Sequence, residues 1–132
     1  MTVQLIEAYY RAFNARDYDE MLALMSDEVV HDINQGAREE GKDTFAAFLE
    51  RMDRTYREQL IDIVIMANAD GTRFAAEFTV IGKYIETDPG FVPARGQSYR
   101  LPAGAFFEVD AGMITRVTTY YNLKDWLEQV GG

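Results

Sequence analysis

Apolar positions follow a helical period early in the chain and a strand period late. Leu5, Ile6, Tyr9, Ala12 and Phe13 share one helix face, which predicts a first amphipathic helix over about residues 3–15. Asn14-Ala-Arg-Asp17 interrupts it. Asp17, with Glu20 three residues on, matches a capping box with aspartate as the cap, opening a second short helix with Tyr18, Met21, Leu22 and Met25 inward. Ser26-Asp-Glu28 ends that helix, and a strand over Val29–Asn34 follows. Asp43 then caps a third helix with Phe45, Phe48, Leu49, Met52 and Tyr56 on one face. Arg51, Arg54 and Arg57 interleave there with Glu50, Asp53 and Glu58, which predicts a salt-paired, solvated face.

From Leu60 the period changes. Leu60–Met66 is almost continuously apolar, as in a strand covered on both sides or lying at an interface. Asn68-Ala-Asp-Gly71 is a hairpin turn, and Phe74–Ile85 a strand with Phe78, Val80 and Tyr84 on one face. Thr87–Gln97 holds two prolines and two glycines, too many breakers for a regular element. It reads as a loop that overhangs the sheet edge and forms a mobile cover, with Phe91 toward the interior. Tyr99–Val109, a turn at Asp110-Ala-Gly112, and Ile114–Asn122 read as strand, turn, strand. Val117, Thr119 and Tyr121 face inward on the last. Leu123, Trp126, Leu127 and Val130 mark a short closing helix. With helices early, strands late and no β-α-β alternation, the class is α+β. Three helices on the concave face of a curved, mostly antiparallel sheet leave a cavity at the open end, a common place for a small-molecule site.

Composition narrows the partners. The 132 residues suffice for one domain with a real core, and 48% hydrophobic with 13% aromatic residues exclude disorder. A formal net charge of −9 argues against nucleic acid and anionic membrane as partners. With no cysteine, neither a disulfide framework nor a thiolate nucleophile is available. Met1 leads straight into a helical pattern with no signal-like run, so a cytoplasmic protein is expected.

The candidate chemistry gathers in Val29–Gly41, VVHDINQGAREEG. It carries the single histidine, His31, beside Asp32, Asn34 and Gln35. Strand alternation places Val30, Asp32 and Asn34 on one face and Val29, His31 and Ile33 on the other, so His31 and Asp32 point opposite ways. A single histidine next to an aspartate does not supply three protein ligands, so no metal site is expected.

Several runs carry a family resemblance. Tyr9-Tyr-Arg-Ala-Phe-Asn-Ala-Arg-Asp17 and Leu24-Met-Ser-Asp-Glu-Val-Val-His-Asp32 resemble the first helix and first-strand entry of ketosteroid isomerases. Gly112-Met-Ile-Thr through Tyr120-Tyr-Asn-Leu, ending in Trp126-Leu-Glu-Gln-Val-Gly131, is similar to the closing segment of SnoaL-like domains. The chain thus resembles the NTF2-like superfamily over nearly its whole length. That resemblance implies a cone-shaped α+β fold and, at Asp32, a carboxylate base whose pKa is raised by an apolar pocket, with Tyr9 as an oxyanion donor. Such carboxylate and tyrosine roles belong to the well-known ketosteroid isomerase example of this family. Ala105 stands where those isomerases carry a second, aspartic donor, and Leu49 where a supporting tyrosine stands. Asn122 stands where SnoaL-like cyclases carry an aspartate, and it cannot take a proton.

The expectation is a cofactor-independent acid–base enzyme, an isomerase, lyase or cyclase, acting on a small, largely apolar carbonyl compound. Phe78, Phe91, Val117, Thr119, Tyr121 and Asn122 would hold the substrate. His31 is expected at a surface or interface. The alternative is a non-catalytic small-ligand-binding or dimerisation module of the same fold. A homodimer through the outer sheet face is expected from the two-sided apolar run Ile61-Asp-Ile-Val-Ile65.

Overall fold

A helix over Val3–Ala15 (α1) opens the computed structural model, which describes residues 3–34 and 36–131; Gln35 of the polar cluster lies outside the described residues. Asp17 caps the next helix, Tyr18–Ala23 (α2), its carboxylate accepting from the Glu20 N–H at 3.2 Å. Among the described residues, Lys42–Thr55 (α3) and Leu123–Gly131 (α4) complete four helices. The strands are Met25–Asp32 (β1), Arg38–Glu40 (β2), Tyr56–Ala67 (β3), Arg73–Tyr84 (β4), Gln97–Asp110 (β5) and Met113–Tyr121 (β6). They form one sheet in the order β2-β1-β6-β5-β4-β3, antiparallel except between β1 and β6.

The structure departs from the sequence reading at several places: β1 takes in Ser26–Glu28 and ends at Asp32 rather than Asn34, and Arg38–Glu40 is an edge strand that the reading did not contain. Met25 belongs to β1, where it is fully buried, rather than to α2. Gly41, not Asp43, occupies the N-cap of α3, with a φ of 102° that suits glycine. Asp43 lies in the first turn, where its charge favours the helix N-terminus. Tyr56 starts β3 rather than ending α3, and this displacement turns Glu58 from a helix-surface residue into a strand residue.

The core lies between the helices and the inner sheet face. Alternation puts Phe74, Ala76, Phe78, Val80 and Tyr84 of β4 inward, and Tyr99, Leu101, Ala105 and Phe107 of β5 beside them. Helix α1 clamps the edge strand β3 through Asn14. Its Nδ2 donates to the Leu60 carbonyl and its Oδ1 accepts from the Leu60 N–H, both at 2.9 Å. Those are backbone groups that an edge strand would otherwise leave to solvent. Beyond Leu60 the ladder shifts register between Ile61 and Val64, with Asp62 at φ 55°, so a bulge redirects the rest of β3.

The loop between β4 and β5 is pinned in this structure. Tyr84 donates its hydroxyl proton to the Val92 carbonyl at 2.7 Å and accepts from the Asp88 N–H at 2.9 Å. Phe91 packs edge-on against Trp126 of α4, with ring centroids 5.5 Å apart. The loop therefore closes one end of the interior.

Candidate active site

Between α1, α3 and the inner face of the sheet lies a cavity of about 420 Å³, walled mainly by aromatic and aliphatic side chains. Of the residues expected to hold a substrate, Phe78, Phe91, Val117, Thr119 and Tyr121 line it, as does Tyr9. Asn122 does not. Its Oδ1 accepts from the Asp125 N–H at 3.2 Å and caps α4, a local use of asparagine that competes with any pocket role.

Asp32 and His31 occupy opposite faces, as alternation requires, but the assignment of the faces is reversed. Val29 and His31 are buried, at 0% and 6% exposure, whereas Asp32 is on the outer face of the sheet. There the Arg38 Nε donates to Asp32 Oδ1 at 2.6 Å and the Thr118 hydroxyl donates to Oδ2 at 2.9 Å. Arg116 approaches Oδ2 at 3.8 Å and bonds Glu108 through Nε at 2.6 Å. The Arg38 hydrogen bond chiefly holds the Asp32 carboxyl below its ordinary value of 3.8, with Thr118 acting in the same direction. The expected desolvated base with a raised pKa is therefore absent at this position. The reason is positional: Val29 and Val30 are equally apolar, so only the packing of β1 against β6 decides which of the two faces inward.

This placement has a testable consequence. Asp32→Asn should leave cavity ligand binding unchanged and lower stability modestly at neutral pH. Because the folded-state pKa is depressed, the contribution is complete above the ordinary value and is lost as pH falls through the lower one. Denaturant unfolding of both proteins across a pH series should show the two midpoints converging in acid. A gap that widens on acidification would contradict the ion pair.

His31 lines the cavity instead of a surface. Its ring lies 4.6 Å from Phe45 and 4.5 Å from Phe48, centroid to centroid. Burial lowers its pKa to about 4, Arg51 adding in the same direction against Asp32, so the imidazole is neutral at pH 7. The buried Nδ1 has no hydrogen-bond partner among the described residues.

Two further groups on the cavity wall escaped the sequence reading. Glu58 of β3 accepts a hydrogen bond from the Tyr99 hydroxyl at 2.5 Å, and the Tyr56 hydroxyl donates to Asp88 Oδ2 at 2.6 Å. Burial raises the Glu58 pKa, with the Tyr99 hydrogen bond opposing it. Burial, and then the charge of Glu58, push the Tyr99 phenol far above its ordinary range. The signal for Glu58 was present. Tyr56, Glu58 and Leu60 are spaced by two, which puts all three on one strand face. Extending α3 through Tyr56 hid it. Also lining the cavity, Asp53 accepts from the Tyr18 hydroxyl at 2.7 Å and pairs with Arg16 at 2.8 Å. Tyr18 opens α2 and Arg16 precedes it, so both contacts tie the α1–α2 connection to α3, rather than Asp53 pairing with the α3 arginines as the sequence pattern predicts.

The four-helix, six-strand cone with an internal cavity defines a class, the NTF2-like α+β fold. Residues 6–117 match the SnoaL-like domain, and the chain belongs to that family. It is similar to a proposed polyketide cyclase from Pseudomonas putida KT2440, with 62% identity over 96% of this chain and 95% of that one, at a TM-score of 0.94. A proposed polyketide cyclase from Silicibacter sp. TM1040 is 53% identical over 99% and 96% of the two chains, at a TM-score of 0.97. An NTF2-like protein from Burkholderia xenovorans LB400, 14% identical over 98% and 95% of the two chains, shares the fold at a TM-score of 0.77. None of the curated proteins matches the chain at a significant level. No helix among the described residues is long and apolar enough to cross a membrane.

Proposed function

We propose that this SnoaL-like protein is a cofactor-independent acid–base enzyme, a cyclase or isomerase, acting in the cytoplasm on a small, largely apolar carbonyl compound of polyketide-like or steroid-like type. The observation that carries this reading is the cavity itself: an aromatic-walled space of about 420 Å³ with carboxyl and phenol groups on its wall. An apolar pocket with a few polar groups fits a hydrophobic ligand that is oriented by one or two oxygens. Tyr9 supplies a donor for such an oxygen. Its hydroxyl has no partner among the described residues, and burial raises its pKa far enough to keep it protonated at any working pH. A protonated phenol in a dry site stabilises a developing enolate oxygen. The similarity to proposed polyketide cyclases supports the substrate class.

Proton abstraction next to a carbonyl can be read without knowing the natural substrate. In D2O the protein should accelerate deuterium exchange at the α-carbons of 2-tetralone, a bicyclic apolar ketone, when followed by proton NMR. A carrier that only binds ligands would take up the ketone without accelerating exchange.

A homodimer through the outer sheet face is part of the same proposal. Val64, Met66, Ile81, Phe106 and Tyr120 are exposed large apolar residues, and Phe106 and Tyr120 contact one another across the β5–β6 ladder. The charges beside these apolar residues are of both signs, Glu77 paired with Val64 and Arg100 with Ile81, so on a chain of net charge −9 the patch is suited to a second copy of itself. Sedimentation at micromolar concentration should give a dimer, and Phe106→Glu should give a folded monomer. A wild-type protein that sediments as a monomer would exclude it.

A further inference from the structure

Glu58, Gly82 and Tyr99 form one row across three adjacent strands. Glu58 of β3 is paired with Gly82 of β4, and Gly82 with Tyr99 of β5. A side chain on β5 reaches β3 only if the strand between them presents nothing in its path. Gly82 meets that condition. A Cβ built there would lie 2.6 Å from Tyr99 Cε2 and closer still to Cζ, so the phenol ring lies directly over the glycine. The ring is backed by Trp126 of α4, with centroids 6.1 Å apart at 77°. Tyr99 is thus held so that its hydroxyl ends on Glu58 Oε2, leaving Oε1 without a hydrogen-bond partner among the described residues.

We propose that Glu58 is the proton-transferring group of the cavity, with Tyr99, laid across Gly82, as the residue that positions it. This rests on the acid–base reading above. Other candidates on the wall are less suited. The His31 imidazole is held neutral with a weakened basicity, and Asp88 belongs to the loop closure through Tyr56 and Tyr84. The titratable groups around Glu58 are Tyr99, Tyr121, and Tyr56 with its partner Asp88. No lysine or arginine among the described residues forms an ion pair with it. Burial therefore disfavours its charge without a cation to restore it, and the Tyr99 proton donor is the main opposing influence.

The step is a proton transfer that needs no other reactant. Glu58 Oε1 takes the proton from the carbon next to the substrate carbonyl as the C–H bond breaks. The electron pair moves into the carbonyl, whose oxygen becomes an enolate held by a phenol donor. In an isomerisation the Glu58 carboxyl returns the proton at the far carbon of the conjugated system. In a cyclisation the enolate carbon forms a bond to a second carbonyl carbon, and the proton is delivered to the resulting alkoxide.

The test uses deuterium exchange of 2-tetralone with the whole protein. Glu58→Gln keeps the side-chain size and an acceptor for Tyr99 while removing basicity, and it should slow exchange by roughly a hundredfold or more. Its unfolding midpoint at pH 7 should be unchanged or higher, because a desolvated charge is removed; this separates loss of chemistry from loss of fold. Tyr99→Phe deletes the donor that favours the carboxylate, so the pH midpoint of the exchange rate should move upward. A purely structural Tyr99 would lower the rate without moving the midpoint. Exchange by Glu58→Gln at the wild-type rate overturns this proposal and leaves the acid–base reading in place. A wild-type protein that binds 2-tetralone without exchanging it overturns both.

Discussion

Replacing Phe107 with alanine should lower stability by about 3–5 kcal/mol, the range for truncating a large buried aromatic. For a chain of this length the thermal midpoint should fall by on the order of 10–20 °C. Phe107 is fully buried, and two aromatic rings of α1 rest edge-on against it. Tyr9 lies at 5.3 Å and 78°, Tyr10 at 5.9 Å and 85°. Edge-to-face pairs of this kind add to the area term, so the void removes more than transfer energy alone. Because Tyr9 and Tyr10 also line the cavity, a weakened support beneath them should loosen ligand binding as well. Thermal unfolding by circular dichroism provides the check. A midpoint within a few degrees of wild type would mean that α1 collapses onto the gap, and that Phe107 does not hold the cavity floor.

Gly82→Ala should show the second large effect, and its sign should depend on Tyr99. In the wild-type background the new methyl group overlaps the Tyr99 ring, which is buried and packs edge-on against Trp126. Overpacking of this kind costs about 1–3 kcal/mol, and the displaced ring also leaves Glu58. In a Tyr99→Ala background the clash is gone, and β4 backbone at this position does not require positive φ. There the same substitution should be neutral or stabilising by up to about 1 kcal/mol, since alanine reduces the entropy of the unfolded chain. Denaturant unfolding of the four proteins forms a double-mutant cycle. Additive effects would show that the phenol does not lie over the glycine.

The sheet row that brings Glu58 and Tyr99 together illustrates what can and cannot be read along a chain. Periodicity located the early helices and the strand hairpins, because a period of 3.6 or of two is a local consequence of which face is buried. The turns at Asn68–Gly71 and Ala111–Gly112 were equally legible, since both end in glycines at positive φ. Family-like runs at both ends of the chain pointed to the cone.

The site was legible only in part. Alternation by itself separated His31 from Asp32, and that separation holds. Which of them faces the cavity depended on the pairing of β1 with β6, a contact between segments more than eighty residues apart in sequence, seen in the Asp32–Thr118 hydrogen bond. Glu58 was misread because helix and strand periods both accommodate the short stretch after Arg54. The Asn14 clamp on Leu60 and the ladder to β4, beginning at Tyr56, make it strand. Tyr99 and Gly82 carry no local signal of their meeting.

The sequence alone therefore determined the class, the order of the helices and longer strands, the acidic and cysteine-free composition, and the alternation within each strand, but not the short edge strand β2. Only the tertiary structure decided which face of β1 is interior, where α3 yields to β3, and which carboxyl group lies on the cavity wall. Local patterns record burial along one element. The orientation of a polar side chain depends on partners that the fold brings from elsewhere, Arg38 and Arg116 for Asp32, and Tyr99 across Gly82 for Glu58.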